Sequence, residues 1–304
     1  MNLGVEVLSG GVRGGTSILY AALGETLAER AGVVNLGTEG SMLAGALTAY
    51  AVASHHGPVI GAAAGAVAGG ALATVHAFFV LQRRTNQLAT GLVVLFLGLG
   101  LTSMFGAAYV NAVVRSFGPI KIPLLGDLPW IGPILFRHDA LTYLSYVLVV
   151  VVWWGIHRSR WGVLLRAAGE RSEVLTTYGH GVQTIRYTAV IVGGMLAGLG
   201  GAHLSIAYAN AWFENMTVGR GFVAVAVVMF AGRQPFKVAA GAYLFGAALA
   251  LSPALQARGY GINQFALDAA PYVITLLVLI LLGRKRASDV PEELKAVFES
   301  SPSG

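Results

Sequence analysis

Long apolar stretches separated by short polar gaps run through nearly the whole chain. A helix that crosses a bilayer needs about 20 mostly apolar residues. Nine stretches meet that requirement, near 5–28, 33–54, 57–81, 87–111, 139–157, 185–208, 217–232, 238–256 and 267–283. The second and seventh are the weakest, being short or broken by glycine and polar groups, so the expected count is eight to ten. The pattern predicts an all-α, polytopic transmembrane helical bundle. One membrane domain covers 1–287, with a long loop at about 158–184, and a short cytoplasmic tail covers 288–304.

Composition agrees. Hydrophobic residues make up 56% of the 304 and charged residues 11%, with a mean hydropathy of +0.69. Soluble domains carry about 25% charged residues. The net charge of +6 is not arranged as a nucleic-acid face, because no Lys/Arg stripe interleaves with aromatics, and no nucleic-acid partner is expected. Cysteine is absent, which removes disulfides and thiol chemistry. The start of the chain has no basic leader region, and Arg13 interrupts its apolar run, so no cleavable signal peptide is expected.

Lys and Arg in the gaps give the orientation. With the Arg284-Lys285-Arg286 cluster inside, the cytoplasmic side also holds Arg30, Arg83, Arg84, Arg158, Arg160, Arg166, Arg171, Arg186, Arg233, Lys237 and Lys295. The outside keeps only Arg13, Arg115, Lys121, Arg137, Arg220 and Arg258, fourteen against six, and the C-terminus is placed inside. Residues 112–138, with Pro119, Pro123, Pro129, Pro133 and Trp130, should form an ordered outer crossing. The tail reads as one short helix, capped by Ser288 or Asp289, with Pro291 in its first turn. Glycines at four-residue spacing (Gly57, Gly61, Gly65, Gly69 and Gly194, Gly198) suit close helix packing.

Enzyme motifs are missing. No G-x-x-x-x-G-K-[ST] loop, H-E-x-x-H pair or G-x-S-x-G elbow occurs, and the seven histidines are scattered. The chain is therefore not expected to be an enzyme, to hold a metal or to carry a cofactor of its own.

Four constellations remain. Asn35 and Glu39, four apart at a predicted helix start, share one face. A carboxylate at membrane depth is costly, so Glu39 either faces the bundle interior or an aqueous path, or sits near the interface, solvated or paired with Arg30. Thr85-Asn86-Gln87 would line a path or supply an N-cap. In Glu214–Phe222, Glu214 and Arg220 can pair, and Asn215, Thr217 and Phe222 can meet a solute; the alternative is a loop re-entering the membrane through a glycine hinge. The cytoplasmic stretch 164–179 reads as two short helical pieces meeting near Gly169 and ending at Gly179. Apolar Val174 and Leu175 beside Glu173 suggest a docking face for a partner, or a helix lying on the membrane.

At these residues the sequence resembles a known family. Glu29-Arg-Ala-Gly-Val-Val-Asn-Leu-Gly-Thr-Glu-Gly40 resembles the signature of ABC-importer permeases of the branched-chain amino acid, ribose and nucleoside group. It is most similar to the nucleoside-type permeases that work with a basic-membrane-protein lipoprotein, as does Met216–Phe222, and the likeness covers roughly 15–285. The resemblance implies a permease subunit of an importer that moves a small polar solute, such as a nucleoside, by alternating access. It implies an ATPase subunit inside that holds ATP and Mg, a solute-binding lipoprotein or periplasmic protein outside, and a second permease chain, a different paralogue. The setting implied is the bacterial cytoplasmic membrane and its lipid. ABC permeases dock their ATPase through a coupling helix of pattern E-A-A-x-x-x-G; Glu173 and Gly179 keep that spacing, while Val174 and Leu175 replace the alanines. Arg166 and Glu170 complete the expected docking set.

The rival reading is a secondary transporter driven by an ion gradient, with Glu39 or Asp268 carrying the ion step. Weak self-similarity between Gly37–His76 and Gly219–Pro253 suits either class.

Overall fold

The computed structural model describes residues 2–259 apart from 111 and 113, together with the isolated positions 269, 273, 291 and 294. Apart from those positions, the expected span 267–283, Asp268 and the tail 288–304 lie outside the described residues. The described helices are α1 (Leu3–Arg30), α2 (Thr38–His56), α3 (Pro58–Ala77), α4 (Gln87–Gly106), α5 (Ile131–Leu135), α6 (Ala140–Arg158), α7 (Arg160–Glu170), α8 (Ser172–Thr177), α9 (Val182–His203), α10 (Arg220–Ala231) and α11 (Pro235–Gln256). α3 and α9 run on as π-helical turns to Gln82 and Tyr208.

Five of these helical runs are long and apolar enough to cross a membrane: Pro58–Gln82, Gln87–Tyr109, Ala140–Arg158, Val182–Tyr208 and Pro235–Gln256. That makes a multi-pass helical membrane protein. α1 and α2 have the length, at 28 and 19 residues, but are more polar. The reason is their position. Every residue of α1 from Gly11 to Glu29 except Arg13 is buried, so the other helices shield it from lipid. Polar groups inside a bundle find protein partners, and an apolar sequence is not required of them. The expected seventh span is realised as α10, whose 12 residues reach only about 18 Å at 1.5 Å per residue.

Backbones approach closely at the core. A methyl on Gly69 would overlap the carbonyl of Gly194, and one on Gly201 would overlap the carbonyl of Met42. The glycines spaced by four thus bring α3 and α2 against α9. Gly57 instead breaks the chain between α2 and α3 at φ +85°.

At one end of the bundle the described part of 112–138 is not wholly helical. β1 (Ile120–Lys121) pairs antiparallel with β2 (Arg137–His138). Tyr143 Oη donates to Ile120 O at 2.8 Å, and Ser9 Oγ donates to Pro133 O at 2.9 Å, fixing this cap to α6 and α1. The two self-similar stretches take equivalent forms. α2 and α10 each follow a glycine-rich turn, and α3 and α11 each open on a proline.

Candidate functional site

The site begins where α1 ends. The chain from Ala31 to Gly37 folds back against α1, and its polar backbone is satisfied by side chains from four directions. Glu25 accepts from Asn35 N at 2.8 Å and from Thr38 Oγ1 at 3.1 Å. Gln87 accepts from Val34 N at 2.8 Å, the His76 ring contacts Val34 O at 3.2 Å, and Arg186 Nε donates to Ala31 O at 3.0 Å. Non-helical backbone inside a membrane protein persists where it is buried and hydrogen-bonded in this way, or where it lines a water-filled cavity.

Asn35 is not on a helix. Its Oδ1 accepts from Gly37 N at 2.9 Å, closing a local turn, and α2 starts three residues later at Thr38. An Asn side chain competes with the helix for backbone donors, which moves the helix start downstream. The expected common face of Asn35 and Glu39 is replaced by a buried turn.

Glu39, only 2% exposed, is neither solvated nor paired with Arg30. Its carboxylate accepts from Thr217 Oγ1 at 2.5 Å, Gly219 N at 2.8 Å and Gly221 N at 2.5 Å. These groups lie at the start of α10, where unpaired amides and the helix dipole favour an anion. So Glu39 caps another helix. Glu214 bonds Ser103 of α4, and Arg220 lies 5.3 Å from the centroid of the Tyr208 ring, in place of a Glu214–Arg220 pair.

At the far end of α10, Arg233 Nε meets Glu29 Oε2 at 2.7 Å, both buried. Arg30 donates to the carbonyls of Gly232 and Arg233 at 3.5 and 3.3 Å. α10, with 12 residues, therefore starts about 18 Å along its axis from the Glu29–Arg233 pair. The segment 209–219, which runs from the end of the α9 run to the start of α10, exposes Phe213, Glu214, Asn215 and Val218. Phe222 is exposed on the next turn, whereas Thr217 is buried. Asn86 caps α4, its Oδ1 accepting from Leu88 N and Ala89 N at 3.0 Å. Gln87 holds the 31–37 connection, donating also to Gly32 O at 3.5 Å.

The two helical pieces expected in 164–179 form as α7 and α8 and meet at Arg171, two residues past Gly169, with Gly179 at φ +76° after the second. Glu170, Glu173, Val174 and Gly179 are exposed, and Arg166 is half-buried. Leu175 turns inward against the core shared with Leu165 and Ile185. The outward face of α8 is thus Glu173, Val174 and, beyond its end, Tyr178.

A family model described as branched-chain amino acid transport system / permease component matches residues 7–283. The chain belongs to that family. This permease is 41% identical over 299 residues, covering 96% of the chain and 89% of the relative, to a Haloferax volcanii protein provisionally named a glucose ABC transporter permease protein. It is 32% identical to the guanosine ABC transporter permease protein of Bacillus subtilis, covering 90% and 92% of the two chains. It is 29% identical to a nucleoside ABC transporter permease protein of Lactococcus lactis, covering 88% and 90%. The permease is thus a membrane subunit of the ABC transporter type, a class that works with ATPase and solute-binding partners.

Sequence reading missed Glu25, Glu29, Arg186 and Arg233 as members of the site. A signal for the first two existed: they are acidic residues, four apart, at the end of an apolar helix, where charge is rare and purposeful.

Proposed function

We propose that this permease forms the translocation path for a small, uncharged, hydroxyl-rich solute, a nucleoside first among them, in an ATP-driven importer. The observation that carries the reading is the segment 209–219. It leaves non-helical backbone and the polar groups of Glu214, Asn215 and Ser103 exposed, between a membrane-length helix and the 12-residue α10. Lipid does not tolerate such backbone, which belongs against a water-filled path or a second protein chain. Asn215, Phe222 and the exposed side of α4 form the path face against a second, different permease paralogue. Asn35, Glu39, Asn86, Gln87 and Thr217 shape that face from behind.

Relatives named for guanosine, nucleoside and glucose all concern solutes that carry hydroxyl-rich rings. A nucleoside adds a base that a phenyl ring such as Phe222 can stack against. α8 docks the ATPase through Glu173 and Val174, supported by Arg166, Glu170, the inward anchor Leu175 and the turn at Gly179. ATP and Mg are held by that ATPase and no cofactor by this chain. A solute-binding lipoprotein delivers from outside, and the C-terminus faces the cytoplasm of a bacterial cell. Competition for ATP-driven uptake of labelled guanosine tests the substrate class. Unlabelled nucleosides should compete, and leucine should not; competition by leucine and not by nucleosides would reject it.

A further inference from the structure

α10 is held at both ends by one short stretch of chain. Glu39 binds its first turn through Thr217, Gly219 and Gly221, while Glu29 and Arg30 bind its last turn through Arg233 and Gly232. Both ends of α10 are left-handed glycines, Gly219 at φ +80° and Gly232 at φ +61°. Such positions are where a rigid helix can pivot against its neighbours. The 29–39 stretch is itself fastened to the cytoplasmic helices. Arg186 bridges Ala31 O at 3.0 Å and Ala168 O at 2.8 Å. Gly169 of α7 packs so closely that a methyl there would overlap the carbonyl of Arg30.

These contacts make a continuous chain of bonded elements from α7 to the start of α10, and the one non-helical link in it, 31–37, is held by hydrogen bonds to Glu25, Gln87 and Arg186. We propose that Arg186 and the Glu29–Arg233 pair are positioning residues that transmit motion of α7 and α8 through the 29–39 stretch to α10, and so to segment 209–219. The inference rests on the importer reading above. A shift of the docking helices is carried by buried ion-pair and backbone contacts, which have discrete arrangements and do not deform gradually. The 29–39 stretch is thereby a lever, and α10 is the arm that opens and closes the path face.

The test uses the complete transporter with its ATPase and binding-protein partners. The chain has no cysteine, so spin labels can be placed at Val67→Cys on α3, Val163→Cys on α7 and Met229→Cys on α10, all exposed positions. With ATP and vanadate, the α3–α10 separation should change while the α7–α10 separation stays constant. In Arg186→Met and Glu29→Gln, ATPase binding and hydrolysis should persist, while the α3–α10 change is lost and uptake per ATP falls roughly tenfold. Arg186→Lys, which keeps one donor, should recover part of that loss. A changing α7–α10 separation in the unsubstituted background would overturn the proposal, whatever the variants do. So would variants that keep both the α3–α10 change and normal uptake. If the unsubstituted complex shows no ATP-driven uptake at all, the importer reading fails instead.

Discussion

The carboxylate of Glu39 lies 2.5 Å from the amide of Gly221, a residue 182 positions further along the chain. This one contact joins the two self-similar stretches at their helix starts. It also explains why a charged residue is kept in an apolar region: its charge answers the N-terminal amides of α10. Glu39→Ala would leave Gly219 N, Gly221 N and Thr217 Oγ1 without an acceptor. Orphaning buried donors of a charge-assisted site costs about 2–3 kcal/mol or more. The expected result is a melting temperature lowered by about 5 °C or more in detergent, with uptake abolished. Differential scanning fluorimetry and vesicle uptake check both.

The glycine contacts predict a different kind of failure. Gly201→Ala sets a methyl against the carbonyl of Met42, between two helix backbones that have no flexible side chain to move. Overpacking of this kind costs about 1–3 kcal/mol. By contrast, Gly100→Ala on α4 meets nothing within 4 Å and should leave stability unchanged. Thermal melts of the two variants side by side decide the matter.

Much of the fold was legible because membrane helices announce themselves by length and apolarity, as α3, α4, α6, α9 and α11 do. α2 and α10 were harder, for a physical reason. A helix that touches only protein is freed from the apolar rule, and a half-length helix falls below the window. At the candidate site, the glycine before α10 could be read from Gly219, and the break between α7 and α8, at Arg171, falls two residues past the Gly169 that the sequence offered. The partner of Glu39 could not. Pairing across 182 positions depends on tertiary packing, and Arg30, the nearby cation, goes instead to the carbonyls at the end of α10.

Substitution at the docking face proposed for α8 should separate binding from folding. Glu173 is exposed on α8. Glu173→Arg is expected to leave the melting temperature within about 1 °C, as surface changes usually do, while the ATPase no longer co-purifies. Leu175→Ala, removing a buried side chain from the core around Leu165, should instead cost about 2–5 kcal/mol. A pull-down and a melt on both variants distinguish an outward contact from an inward anchor.

The cap that contains β1 and β2 carries a pH-dependent element. Lys121 Nζ lies 2.5 Å from Asp127 and Arg137 lies 3.7 Å away. The lysine hydrogen bond, with the added charge of both cations, holds the Asp127 carboxyl below the usual carboxylate range. A lowered folded-state value means that the pair supports the cap above the ordinary carboxylate pKa. That support is lost as pH falls through the lowered value. Carboxyl-labelled NMR should find Asp127 titrating below the ordinary value, with Lys121→Met moving it back up.

On the proposed function, this permease moves solute only as part of an ATP-driven complex. The direct measurement is uptake of labelled guanosine into vesicles that hold this chain with its ATPase, second permease and binding-protein partners, compared with vesicles that hold this chain alone. Uptake that needs ATP and every partner, and that ionophores leave intact, is the expected result. Uptake by this chain alone, without ATP and abolished by an ionophore, would contradict it.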